Sequence, residues 1–320
     1  MSPRQITVLG ECVADAFAEP SSASNELALR VLPGGGPANT AVALARLGTP
    51  ARFLARLSGD VFGRLFRAHL EASGVDLSSA VQAAEPSTLA VAELDSLGQA
   101  TFSFHAQNTA DWQWTAAELA RVDLSGTACV HTGSLALVRE PGAAAVEDFL
   151  AAAAPGATIS IDPNVRPLLV DPEVYRARLA HWCALTDVLR LSEDDLELLL
   201  PGTPPEQACD LWHAAGARLV VITRGADGVL ASLDGERVRV SAVRTPVADT
   251  VGAGDSFTAG LLHHLGARGL LGGRLTELRL DDVAEACRFA VRVAALTCSV
   301  VGPNPPWESQ LAQLTAADHA

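Results

Sequence analysis

The chain has 320 residues, 49% of them hydrophobic and 19% charged, which suits a globular protein of one large domain or two smaller ones. A formal net charge of −14 sets a repulsive field against nucleic-acid phosphates, so no nucleic-acid groove is expected, and no apolar run reaches the length of a membrane span. All 23 basic residues are arginine, which excludes the Walker A P-loop, the protein-kinase strand lysine and every Schiff-base mechanism, because each needs an amine.

Met1-Ser2-Pro3-Arg4-Gln5 leads directly into strand-like residues with no secretory h-region, so a cytoplasmic protein is expected. Six cysteines are scattered without metal-like spacing and read as small buried hydrophobes. Ile6–Leu9 reads as a buried first strand that delivers Glu11 and Asp15 to its C-terminal end, the side where open α/β sheets bind ligands. A lone Asp after a strand is also a common turn former. Residues 20 to 33 read as irregular.

Gly34-Gly35-Gly36-Pro37-Ala38-Asn39 then opens an alanine-rich helix closed by Gly48, with Asn39 in its first turn. Arg52–Leu57 reads as a strand, and Phe62–Ser73 as an amphipathic helix. Leu89–Leu94 and Ala100–Phe104, joined by Asp95-Ser96-Leu97-Gly98, form a hairpin signal, either a lid over a site or an edge of the main sheet.

From Asp123 onward strands and helices alternate. Strands are expected at Ala128–His131, Thr158–Ile161, Val188–Leu191 and Leu219–Ile222, with helices at Ala143–Ala153, Tyr175–Cys183, Glu193–Leu200 and Glu206–Ala214. That alternation predicts a parallel sheet covered on both faces. Polar clusters follow three of the strands: Asp162-Pro163-Asn164-Val165-Arg166, Ser192-Glu193-Asp194-Asp195, and Thr223 to Gly228. Strand C-termini share one edge in a parallel sheet, so these loops should converge with Asp15, Asn39 and Asp255.

Asp249-Thr250-Val251-Gly252-Ala253-Gly254-Asp255-Ser256 reads as an anion site. Two glycines let backbone N–H groups face a ligand, and the helix predicted from about Asp255 adds free N–H donors and a positive dipole end. Asp255 would repel phosphate there unless it accepts a proton from an attacking hydroxyl; the alternative is a simple helix cap. Residues 281 to 297 form a further helix with small residues on one side, ending in the stiff loop Gly302-Pro303-Asn304-Pro305-Pro306, and the tail from Gln310 is expected to fray.

Gly34–Gly48 and Asp249–Gly260 together resemble the two signature stretches of the ribokinase/PfkB sugar-kinase family. Gly59-Asp60-Val61-Phe62-Gly63, Gly74-Val75-Asp76, Gly133-Ser134, Asp162-Pro163-Asn164-Val165-Arg166 and Thr223-Arg224-Gly225 follow in the family's order, so the likeness covers nearly the whole chain. The resemblance implies one domain over residues 1–320 with a three-layer α/β/α architecture. Its central sheet would be mainly parallel, with a small β-strand lid from segments near 11–33 and 87–110. It also implies phosphoryl transfer from ATP to a sugar hydroxymethyl group. Asp255 would be the base, and the N–H groups of Gly252, Ala253 and Gly254 would stabilise the phosphoryl.

By the same carry-over, Asp15, Gly35 and Asn39 would hold the sugar. Thr223, Gly225 and Gly228 would line the nucleotide site with Arg224 as a supplementary charge, and Asp249 with Gly302 would match a monovalent-cation (K⁺) site. The family's Asn-x-x-Glu stretch is replaced by Ser192 and Asp195, whose oxygens would keep Mg²⁺, through water.

Within the family the two signatures are most similar to fructokinases, and lysine, typical of ribokinases, is absent at Gly36. Fructose is the expected substrate. A sugar acid such as 2-keto-3-deoxygluconate, bound through Arg166, is the alternative, ahead of other sugars and nucleosides. A non-catalytic sensor is the alternative of a different class. Trp112 and Trp114 are expected to pack the lid hinge, and a homodimer through the exposed lid edge is the expected assembly.

Overall fold

Three sheets, of eight, four and two strands, divide the strands between them in this computed structural model, which describes residues 5–19, 25–94 and 100–311. The first half of the chain runs β1 (Gln5–Leu9), β2 (Val13–Glu19), β3 (Ala28–Gly34), α1 (Gly36–Arg46), β4 (Ala51–Leu54), β5 (Arg56–Ser58), α2 (Val61–Ala72), β6 (Val81–Ala83), β7 (Thr88–Leu94), β8 (Ala100–His105) and α3 (Ala116–Leu119). The second half runs β9 (Thr127–Gly133), α4 (Ala143–Ala153), β10 (Thr158–Asp162), α5 (Pro172–Leu185), β11 (Val188–Ser192), α6 (Glu193–Leu199), α7 (Pro205–Ala214), β12 (Leu219–Thr223), β13 (Val229–Leu233), β14 (Glu236–Val240), α8 (Ala253–Ala267) and α9 (Leu280–Cys298).

The main sheet has the order β14-β13-β12-β11-β10-β9-β1-β4. Its pairings from β12 to β4 are parallel, and β13 and β14 add an antiparallel edge. Adjacent strand residues point to opposite faces, and both faces are covered: Val8 and Val221 belong to one hydrophobic core, Leu9 and Val220 to the other. Helices α1, α8 and α9 supply the first core, and α4, α5, α6 and α7 the second. Small residues bring α8 and α9 together; a Cβ at Gly260 would lie 2.9 Å from the Ala290 Cα.

The second sheet has the order β3-β2-β7-β8. It bears out the hairpin signal as a unit outside the main sheet, with β7 and β8 antiparallel; the turn at Asp95–Gly98 lies outside the described residues. Residues 28–34 correct the expectation of irregular chain across 20–33. They pair with β2 from Val13↔Gly34 to Glu19↔Ala28. Pro33 argues against a central strand but is tolerated here because β3 is an edge.

Two further corrections concern strands. Arg52–Leu57 is not continuous: β4 joins the main sheet, whereas β5 pairs with β6. The β13–β14 hairpin adds to the expected elements; its turn, Asp234-Gly235 with φ of 48° and 95°, is a recognisable two-residue hairpin signal.

Candidate active site

The loops that follow β1, β10, β11 and β12 open with the first turns of α1 and α8 onto one cavity of about 830 Å³, roofed on one side by the second sheet. Asp15, Gly35, Asn39, Arg166, Ser192, Asp195, Thr223, Arg224, Gly225, Gly252, Gly254 and Asp255 all line it. The predicted convergence of strand-end loops is thus observed.

The turn at 249–255 is shaped from both sides. Gly252, at φ 76°, is the cap residue of α8, and a Cβ there would lie 2.9 Å from the Pro303 Cβ. A Cβ on Gly254 would meet the Arg190 guanidinium at 2.9 and 3.0 Å. Only glycine fits either place without displacing a neighbour. Ala253 does not line the cavity; its N–H donates to the Thr250 carbonyl at 3.2 Å. Helix α8 starts two residues before Asp255, and no side chain caps it, so the capping reading of Asp255 fails.

Instead, Asp255 Oδ2 accepts a hydrogen bond from Asn39 Nδ2 at 2.8 Å. Burial pushes the Asp255 carboxyl up to about 6 against the pull of that bond, and the Asp162 charge adds to the rise while Arg166 and Arg190 oppose it. A carboxylate held this way is ionised near neutrality yet basic enough to take a proton.

At the second-sheet end, Asp15 and Glu11 face Arg166. Burial raises Asp15 to about 6 and Glu11 to about 7, and the Arg166 charge opposes both shifts. Arg166 itself is exposed, and Gly35 caps α1, its carbonyl accepting the Asn39 N–H at 2.9 Å. Phe102 and Phe104 of β8 complete this end, their rings stacked at 5.9 Å between centroids.

At the opposite end Thr223, Arg224 and Gly225 line the wall. Arg224 Nε is bound to Glu193 at 3.0 Å, so its charge is already engaged. Gly228 stands off the cavity wall, and its carbonyl accepts the Arg224 N–H at 2.8 Å.

Ser192 and Asp195 form a capping box: Asp195 Oδ2 accepts from Ser192 Oγ at 2.6 Å and from the Ser192 N–H at 3.0 Å, while Oδ1 accepts from the Val165 N–H at 2.8 Å. No group of three His, Cys, Asp or Glu side chains able to hold a metal exists among the described residues. This donor set suits an ion carried by phosphate and water rather than one caged by protein. Asp249 and Gly302 do meet, the Gly302 N–H donating to Asp249 Oδ2 at 2.9 Å. Burial alone would raise the Asp249 carboxyl, but N–H groups of Val251, Gly302 and Thr250 hold it below the usual carboxylate range.

Three features escaped the sequence reading. Arg190, inside strand Val188–Ser192, is 5% exposed and binds Asp162 at 2.6 Å and Thr223 Oγ1 at 2.7 Å directly beneath Gly254. An arginine within the otherwise apolar run Val188–Leu191 was the available signal. Glu11, expected at the ligand-binding end of β1 but without a role, lines the cavity, and Phe102 and Phe104 are an alternating pair on the cavity face of β8. Trp112 and Trp114 are buried, as hinge packing requires, and five of the six cysteines are buried.

A model of the pfkB carbohydrate kinases matches residues 3–310. A fructokinase from Rhizobium leguminosarum bv. trifolii is 38% identical over 255 residues, 78% of this chain and 76% of that one. A fructokinase from Klebsiella pneumoniae is 35% identical over 83% of this chain and 86% of its own length. Among solved structures, a Xylella fastidiosa fructokinase with bound ATP superposes with a TM-score of 0.90 at 27% identity, covering 99% of this chain and 100% of that one. A Vibrio cholerae O395 fructokinase with fructose, ADP and calcium bound gives a TM-score of 0.83 at 26% identity, covering 98% and 99%.

Proposed function

The chain belongs to the pfkB family of carbohydrate kinases and has the family's α/β fold, and from that premise we propose that it transfers the γ-phosphoryl group of ATP to a hydroxymethyl group of fructose. The observation that carries this reading is the pairing of Asp255, oriented by Asn39, with the glycine turn that opens α8.

In the proposed reaction Asp255 accepts the proton of the sugar hydroxyl as that oxygen attacks the γ-phosphorus. The bond from phosphorus to the bridging oxygen breaks, and ADP leaves with the electron pair. The N–H groups of Gly252 and Gly254 and the positive end of α8 stabilise the oxygens of the transferring group. Ala253 serves the same turn through its bond to Thr250. Arg190, fixed by Asp162 and Thr223, supplies the positive field that P-loop enzymes obtain from lysine.

Thr223, Arg224 and Gly225 border the nucleotide, with Gly228 shaping their loop. Asp195 and Ser192 would hold Mg²⁺ through water, and the ion would supply neutralising charge for the phosphoryl oxygens. Asp249, kept ionised, and the Gly302 loop would hold K⁺.

The sugar end favours a neutral substrate. Asp15, Glu11 and Asp255 already draw on the Arg166 charge, so an added substrate carboxylate would join three carboxyl groups around that guanidinium. The sugar-acid reading therefore ranks second, supported by the exposure of Arg166 alone. A non-catalytic sensor would have no use for the base and glycine turn, both present here.

The second sheet is read as a lid belonging to a single domain. Exposed Leu27 and Leu29 at its β3 edge support a homodimer through that edge, which sedimentation would test. ATP consumption across fructose, other sugars, 2-keto-3-deoxygluconate and nucleosides tests the reaction: fructose should be turned over fastest, and turnover of none of them would defeat the proposal.

A further inference from the structure

The loop after α9 presses on the glycine turn from behind. The Gly302 N–H binds Asp249 at one end of that turn, and Pro303 packs against Gly252 in its middle. Asn304 closes the loop on itself, its N–H donating to the Gly302 carbonyl at 2.8 Å. The shape of residues 249–254 therefore depends on where residues 302–304 are held.

Arg46 holds them. It is the last residue of α1, and its Nη1 donates to Asn304 Oδ1 at 2.6 Å and to the Pro305 carbonyl at 2.9 Å. Its Nε reaches Ser73 Oγ at 3.3 Å, and the guanidinium carbon lies 5.1 Å from the centre of the Trp307 ring. No carboxylate pairs with it among the described residues. A half-buried guanidinium that spends its donors on neutral oxygens, without an opposing charge, is a costly way to pack a helix end. The guanidinium does what an apolar residue could not: through Nη1 it ties two successive loop residues, and it lies over the ring of a third. The opposite end of α1 carries Asn39, which orients Asp255. One helix thus fixes the carboxylate with its first turn and the back of the glycine turn with its last.

We infer that Arg46 is a positioning residue for the phosphate-binding turn, acting through the Gly302–Pro305 loop. The inference rests on the reading of residues 249–255 as the site of phosphoryl transfer, and its test uses one measurement that does not depend on that reading.

The experiment compares the full-length wild type with Arg46→Ala and Arg46→Lys by amide hydrogen exchange without ligands and by steady-state kinetics with ATP and fructose. In Arg46→Ala the amides of 249–254 and 301–305 should exchange at least about tenfold faster while those of β9 to β12 are unchanged. The efficiency kcat/KM for ATP should fall about 10- to 100-fold with the KM for fructose held within about threefold, and Arg46→Lys should recover part of both effects. Unchanged exchange in the two segments would overturn the clamp, as would an increase spread over the whole chain, which would mark a merely structural residue. Faster local exchange with unchanged kinetics would overturn the positioning role. A wild type inactive on every sugar would defeat the functional reading instead, and the exchange rates would still uphold or overturn the clamp.

Discussion

Asn39 and Asp255, 216 positions apart in the chain, meet at 2.8 Å where the first turns of α1 and α8 converge. The bond restrains the carboxylate's rotation and leaves Oδ1 as its second acceptor. A proton acceptor must be both aimed and ionised, and this contact serves both ends. Asp255→Asn removes the acceptor while keeping the shape. Turnover should fall roughly 10²- to 10⁴-fold, with fructose and ATP affinities within about threefold by calorimetry. Undiminished turnover would remove Asp255 from the mechanism.

Burial holds Asp255 at about 6 in the folded chain, above the ordinary 3.8. Only the ionised form accepts a proton, so kcat should rise with pH through about 6 and level off above it. A rate flat from about pH 5 to 8 would show that no group with this environment limits the chemistry.

The contact between Gly254 and Arg190 predicts a steric lesion. A methyl at 254 would collide with a guanidinium that Asp162 and Thr223 hold in place. Gly254→Ala should therefore lower kcat by about 10²-fold or more, comparable to losing one anion-hole donor, with the KM for fructose little altered. A variant with wild-type kcat would mean that the turn can shift without harm.

Arg166 separates the two substrate readings. Its loss should weaken a sugar acid far more than fructose, by roughly tenfold in relative kcat/KM, because only the acid needs the charge-assisted pair. Equal losses on both substrates would assign Arg166 to compensating Asp15 and Glu11 alone.

Glu11 makes a prediction about stability. Its folded pKa, about 7, lies above the ordinary 4.5 because burial disfavours the charged form. Its contribution to stability is therefore complete below about pH 4.5 and is lost as pH rises through about 7. Glu11→Gln cannot ionise, so it should be more stable than the wild type at pH 8 by on the order of 1–3 kcal/mol. That gap should close near pH 4.5. Urea titrations at the two pH values check it, and a variant less stable at pH 8 would contradict the burial argument.

The sequence alone determined the alternation of strands and helices, the glycine turns at 34–36 and 252–254, and the absence of lysine as a phosphate ligand. Each is a local property, written in hydrophobic period, glycine placement or composition. The edge at which the strand-end loops gather was also foreseeable, since parallel strands end on one side. Tertiary structure decided what depends on pairing across the chain. Pro33 counts against a strand until β3 is known to be an edge, and Arg190 looks misplaced until Asp162 and Thr223 close around it. Arg224 reads as a free charge until Glu193 is beside it, and Arg46 is an ordinary helix end until Asn304 and Pro305 arrive from 258 and 259 positions away. A residue's chemical task here is set by burial and partner, and neither is encoded within the reach of a helical turn or a strand's alternation.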